Sequence, residues 1–262
     1  MAEGDTILRT AKRISEALAG EVVGTRTPDP RGRAAGVGRL DGRTLLGAGA
    51  RGKNLLLDFD GLTLHSHLGM SGSWHVYRRG ERWRKPSRLA WAVLLGESHE
   101  AVQWGGPTLR VLRSEQLRRD PRLRGLGPDI LAPGFSAAAA VARMRGADQR
   151  RGLGDAVLDQ GLLAGVGNIF KSEGCFAAGV DPWTPLAELT DAELGDAIAA
   201  TRALMERSVL GGRAPAEVYR RAGEPCRACG SRLLSGGQGD GNRTTYWCPV
   251  CQGSSADRPR RR

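Results

Sequence analysis

Two cysteine pairs near the C-terminus, Cys226-Arg-Ala-Cys229 and Cys248-Pro-Val-Cys251, have the spacing of a four-thiolate zinc site. One structural Zn2+ held by these four residues would fold a segment too small to bury a core of its own. The run Gly241-Asn-Arg-Thr-Thr-Tyr-Trp247 leads into the second pair as a hairpin arm and places Arg243 at the hairpin tip. A metal-pinned cation at a tip suits the capture of an anion. The opposite end of the chain offers different chemistry. Met1 precedes a small residue, so its removal would free the α-amine of Ala2. With a pKa of about 7.7–8.0, roughly 10–20% of such an amine is neutral and nucleophilic at pH 7. Glu3 beside it is ordinary solvated surface unless that amine works.

Other candidates lie between these ends. Only four of the 39 cations are lysines (Lys12, Lys53, Lys85 and Lys171), and a lysine, unlike an arginine, is able to lose its proton. Gly161-Leu-Leu-Ala-Gly165-Val-Gly167-Asn168 is a glycine-punctuated turn between two helical stretches. It reads either as an ordinary helical hairpin or as a turn whose backbone N–H groups, with the Asn168 side chain, face an anion. Met70, in His67-Leu-Gly-Met70-Ser-Gly72, is either a core residue or an apolar wedge on a glycine-flanked loop. His65 and His67 share one face of a strand and form no metal constellation.

The composition narrows the partners. The chain has 262 residues with a net charge of +11 and a pI near 10.3, a balance that favours nucleic acid. Four of the five cysteines belong to the tail motif, leaving Cys175 over, which argues against a secreted disulfide framework and for a reducing cytoplasm. No apolar run approaches the roughly 20 residues of a membrane helix, and the charged, amphipathic N-terminus is no signal peptide.

The elements that must position these residues follow from periodicity. Ile7, Ala11, Ile14 and Leu18 mark a first helix that Asp5 is placed to cap and Gly20 to end. Residues 22–112 read as strands around a Pro/Gly/Arg-rich loop, 26–38. Within them, Asn54–Phe59 and Leu62–Leu68 flank the two-residue turn Asp60-Gly61, a strong hairpin signal, and Ala90–Leu95 and Ala101–Trp104 suggest another pair. One helix followed by many strands implies a β-sandwich with a helix against it. After a charged, proline-broken segment come helical stretches at 136–145, 151–160 and 169–177. The capping box Thr190-Asp-Ala-Glu193 opens a fourth helix running to Val209.

These motifs in this order resemble the Fpg/Nei (endonuclease VIII-like) DNA glycosylases. The matching residues are Glu3-Gly4-Asp5, Gly52-Lys53, His67–Gly72, Asp159-Gln160, Gly165–Ile169 with Glu173, and Arg243–Gln252. Trp74–Arg78, Trp83–Pro86 and Leu126–Asp129 resemble the actinobacterial Nei branch. The resemblance implies an α+β multidomain chain. It would consist of an N-terminal β-sandwich catalytic domain with a flanking helix (1–117), a linker (118–135), a helical helix–two-turn–helix domain (136–215), a zinc-finger hairpin of zinc-ribbon type (216–253) and a basic disordered tail (254–262). It implies a monomeric enzyme of base-excision repair acting on damaged duplex DNA in the bacterial cytoplasm, at the nucleoid. The damaged nucleotide would be flipped into a pocket between the two domains. The Ala2 amine would attack C1′ to form a Schiff base, Glu3 would serve as general acid/base, and Lys53 would hold phosphate and assist β-elimination. Arg243 and Asn168 would clamp flanking phosphates, Arg243 also taking part in δ-elimination. Arg124 is a further DNA-contact candidate and Met70 the wedge.

Two departures from the family pattern stand out. The family begins Met-Pro-Glu-Gly, whereas this chain begins Met1-Ala2-Glu3-Gly4. A proline iminium has no N–H proton to lose, while the imine of a primary amine does and is then a poorer electron sink. Ala2 is therefore a working natural nucleophile, the mark of a non-catalytic lesion binder, or an engineered replacement of proline. In addition, Gln103-Trp-Gly-Gly-Pro107 lacks the Arg/Phe pair with which Fpg proteins fill the void left by the flipped base.

Overall fold

The structure, a computed structural model, describes residues 2–211 and 216–253. The expected basic tail, 254–262, lies outside the described residues, as does Met1. Two compact units divide the chain, Met1–Gly125 and Leu126–Arg262.

The first unit opens with α1 (Gly4–Leu18). Glu3, not Asp5, stands at its N-cap, and Asp5 sits inside the first turn, where it pairs with Arg9 at 3.4 Å. A carboxylate there complements the helix dipole without capping it. Ile7, Ala11, Ile14 and Leu18 recur on one face and all are at most 1% exposed. They join Leu45, Leu55, Leu57, Leu64, Trp74 and Leu94 in one cluster. Fully burying each Ile or Leu contributes about 1.5–3 kcal/mol, so this face alone holds α1 to the sheet.

Strands β1 (Val22–Arg26), β2 (Arg43–Arg51), β3 (Asn54–Phe59), β4 (Leu62–His67), β5 (Ser73–Arg78), β6 (Ala92–Leu95), β7 (His99–Trp104) and β8 (Thr108–Arg113) pair in the order β5-β7-β6-β1-β2-β3-β4-β8. Every pairing is antiparallel, and the order folds into the expected sandwich around α1. Phe59 faces Leu62 across Asp60-Gly61, as the hairpin signal predicts.

Two expectations are corrected. The 26–38 loop contains a short helix, α2 (Pro30–Ala34), and the expected linker 118–135 carries α4 (Pro121–Arg124) directly after α3 (Ser114–Arg118). In α2 and α4 an aspartate caps the helix from its side chain and proline takes the first helical position. Proline's fixed φ and missing N–H suit that position, so an Asp-Pro pair starts a helix rather than breaking one.

The second unit contains α5 (Ala137–Arg145), α6 (Leu153–Leu158), α7 (Asn168–Ala177) and α8 (Asp191–Val209), followed by the hairpin strands β9 (Leu234–Gln238) and β10 (Arg243–Trp247). Both bonds of the Thr190/Glu193 capping box form at α8. Ile130, Leu153, Leu163, Val166, Leu194, Ile198 and Met205 make its core.

Candidate active site and DNA-binding residues

Within the first unit, several loops meet at one end of the sandwich. The Ala2 backbone nitrogen donates to the Gly69 carbonyl at 3.3 Å, which sets the N-terminus against the loop joining β4 to β5. Glu3, only 1% exposed, is held at the start of α1. Met70, on that same loop, is 76% exposed, so it is not a core residue. Its loop is shaped by close backbone approach: a Cβ on Gly72 would lie 2.6 Å from the Leu68 carbonyl oxygen and 2.9 Å from the Gly106 Cα. Only glycine allows that contact, which fixes the Met70 loop against the loop following β7.

Lys53 occupies the β2–β3 turn and is half-buried. Asn54 pairs with His67, and the Lys53 charge helps lower the pKa of His67, after burial, the larger cause. The turn is braced from below. His65 Nε2 and Asn54 Oδ1 are 2.8 Å apart, Arg110 Nε donates to His65 Nδ1 at 3.1 Å, and Arg110 is paired with Asp120. Because Nδ1 accepts, Nε2 carries the proton, and the imidazole is neutral. Burial, followed by the Arg110 charge, brings its pKa down to about 4. His65 is thus structural, and this bracing of the turn beside Lys53 was not visible in the sequence. Arg124 is exposed at the end of α4.

Within the second unit, the turn before α7 is tied from several sides. Gln160 Oε1 accepts from Gly165 N at 3.0 Å, its Nε2 donates to the Val166 carbonyl at 2.9 Å, and Ala164 N donates to the Pro128 carbonyl at 2.9 Å. Asn168 Nδ2 donates to the Thr244 carbonyl at 2.7 Å, so one amide hydrogen is committed to the cysteine hairpin. Its Oδ1 is buried without a hydrogen-bond partner among the described residues. Two further bonds dock the hairpin on α7: Lys171 Nζ, almost fully buried, donates to Thr245 Oγ1 at 2.6 Å, and Tyr246 N donates to Ser172 Oγ at 3.3 Å. Thr245 Oγ1 in turn donates to Gln238 Oε1 at 2.8 Å. Glu173 accepts from the backbone nitrogens of Glu217, Val218 and Tyr219 at 2.7–2.9 Å, anchoring the chain that leads into the hairpin. Arg243, at the start of β10, is exposed beside the turn that closes the hairpin.

The sulfur atoms of Cys226, Cys229, Cys248 and Cys251 all lie within 4.8 Å of one another. The Cys226–Cys251 and Cys229–Cys248 separations are 3.9 and 3.5 Å. Tetrahedral thiolates at about 2.3 Å from zinc stand about 3.8 Å apart, so the four residues fit a single metal ion.

The comparisons with known proteins match this arrangement. The Formamidopyrimidine-DNA glycosylase N-terminal domain matches residues 1–105, and the Formamidopyrimidine-DNA glycosylase H2TH domain matches residues 126–217. The chain is 42% identical to the probable endonuclease 8 2 of Streptomyces coelicolor, over 99% of this chain and 96% of that protein. The chain belongs to the Fpg/Nei family of DNA glycosylases. Other members of the Fpg/Nei family are similar along nearly the whole length. The DNA-(apurinic or apyrimidinic site) lyase Nei2 of Mycolicibacterium smegmatis is 36% identical over 97% of this chain and 100% of its own. The MutM (Fpg) protein of Thermus thermophilus superposes with a TM-score of 0.78 at 27% identity, covering 97% of this chain and 99% of that one. The helix–two-turn–helix expectation therefore falls on the turn 161–167 and the helices around it.

Proposed function

We propose that this chain is a base-excision repair DNA glycosylase with AP lyase activity, acting as a monomer on damaged duplex DNA, with oxidised pyrimidines as its preferred lesions. The observation that carries this reading is the meeting of the Ala2 backbone nitrogen, buried Glu3, the braced Lys53 turn and exposed Met70 at one end of the first unit, in a chain of this family. The relatives' names are those of glycosylases and AP lyases, and they lend no support to a non-catalytic lesion binder.

The chemistry assigned to these residues is as follows. The Ala2 amine, freed by loss of Met1, attacks C1′ of the extruded nucleotide, and the damaged base departs with the glycosidic electron pair. Glu3 moves the proton at the opening sugar ring, and loss of the amine proton leaves a Schiff base. Removal of a C2′ proton expels the 3′ phosphate in β-elimination, with Lys53 holding phosphate, and δ-elimination then expels the 5′ phosphate. Met70 enters the stack where the nucleotide has left it. Arg243, Arg124 and the turn at Asn168 bind the backbone. The cysteine cluster holds one structural Zn2+, which keeps β10 and Arg243 in place and takes no part in the chemistry. The bacterial cytoplasm, at the nucleoid, is where such an enzyme meets its substrate.

Excision from duplexes carrying one oxidised pyrimidine or one 8-oxoguanine tests this reading. The expected result is release of the pyrimidine by the natural chain and loss of excision in Glu3→Gln. Equal excision by both proteins would overturn the role of Glu3, and faster release of 8-oxoguanine would overturn the lesion preference.

A further inference from the structure

The segment between β5 and β6 is rich in cations, yet it is a folded element rather than a solvated run. Between Arg78 and Arg88 it carries Arg78, Arg79, Arg82, Arg84, Lys85 and Arg88 against a single carboxylate, Glu81. Its bonds draw it back along the sheet. Arg84 N donates to the Tyr77 hydroxyl at 3.2 Å, Trp83 Nε1 donates to buried Glu100, and Trp104 Nε1 donates to the Pro86 carbonyl at 3.1 Å. Lys85 Nζ donates to Ser73 Oγ at 2.7 Å, which brings the strap to the foot of the Met70 loop. The rings of Tyr77, Trp83 and Trp104 pack with centroids 5.7–6.4 Å apart beneath it.

Between this strap and α1 lies a small cavity of about 130 Å³, lined by Thr10, Arg13, His75, Glu81 and Arg84 among others. The exposed Arg13 and Arg84 guanidinium groups make no ion pair or side-chain hydrogen bond among the described residues. The Glu81 carboxylate accepts from Arg78 N at 3.1 Å, closing the strap's own turn. Arg13, Arg84 and Lys85 all converge on His75, and after burial their charges are what lower its pKa. Two guanidinium groups from separate elements facing one polar notch, neither of them paired with Glu81 or with any other acid among the described residues, form a fork suited to a phosphate.

We propose that Arg13 and Arg84 bind a DNA backbone phosphate outside the set of residues that serve the lesion itself, extending the binding surface from the Met70 loop across the β5–β6 strap. This rests on the reading of the chain as a DNA repair enzyme. Arg13 and Arg84 fix how DNA lies on this unit and have no part in the bond-making steps.

The test is the salt dependence of binding to an abasic-site duplex, measured for the natural chain, Arg13→Ala, Arg84→Ala, Arg84→Lys and Arg33→Ala, the last an exposed arginine on α2. The expected result is a slope of log Kd against log salt flatter by about 0.9 in Arg84→Ala and in Arg13→Ala. Arg84→Lys should restore it, and Arg33→Ala should leave both the slope and single-turnover nicking unchanged. Unchanged slopes in Arg13→Ala and Arg84→Ala would overturn the proposal, as would an equal effect of Arg33→Ala, which would mean a general field. A natural chain that binds with the expected slopes but never nicks would count against the enzymatic reading, not against this surface.

Discussion

Asn168 and Thr244 are 76 residues apart, yet the amide of one donates to the carbonyl of the other at 2.7 Å. The turn that opens α7 and the strand that begins with Arg243 are therefore one mechanical piece. Two residues expected to hold separate phosphates are set by a shared bond. Removing the amide in Asn168→Ala takes away the donor to the Thr244 carbonyl, on an exposed residue, and should cost about 0.5–1.5 kcal/mol. Denaturant unfolding measures the loss, and affinity for abasic-site DNA should fall with it. An unchanged unfolding midpoint would show that the hairpin docks without this bond.

The same docking changes what loss of metal should do. The hairpin is held to α7 by Lys171–Thr245 and Ser172–Tyr246 as well as by its cysteines. Purified protein should carry one zinc ion per chain by elemental analysis. A chelator should perturb the fluorescence of Trp183 and Trp247, whose ring centroids are 4.1 Å apart, while most helical circular dichroism persists. Protein free of metal with the same fluorescence and DNA affinity would show that the cluster needs no ion.

His65 sets a pH limit on the first unit. Its folded pKa of about 4 lies below the ordinary 6.5, so between these values the unfolded chain takes up the proton and the folded one does not. Stability is complete above pH 6.5 and is lost as pH falls toward 4. Observed by NMR, the His65 ring should titrate near pH 4. A midpoint near 6.5 would mean that burial and the neighbouring Arg110 do not hold the ring neutral.

Much of this was legible in the sequence. The Asp60-Gly61 hairpin, the Thr190/Glu193 cap and the buried face of α1 are local patterns, and each governs the element in which it lies. The cysteine spacing marked the cluster because knuckle geometry is local too. What was missed is largely non-local. Whether Met70 is core or exposed depends on the approach of Gly72 to Gly106, and the bracing of His65 by Arg110 depends on β8 lying beside β4. The two Asp-Pro helix starts were within reach: proline there was read as a breaker when the preceding aspartate made it a first helical residue.

Arg243 should contribute one phosphate contact. In Arg243→Ala the salt slope of DNA binding should flatten by about 0.9, and affinity should fall at low salt. An identical slope would show that this exposed cation meets no phosphate. Lys53→Ala should slow strand cleavage more than base release, because its assigned work follows loss of the base. Equal slowing of both would place Lys53 in an earlier step.

The N-terminal amine can be tested directly by borohydride trapping on abasic-site DNA, followed by mass spectrometry of the intact N-terminus and of the cross-linked peptide. The expected result is a chain lacking Met1 and a covalent adduct on the α-amine of Ala2. Correctly processed protein that gives no adduct, or carries it only on a lysine, would contradict the proposed chemistry.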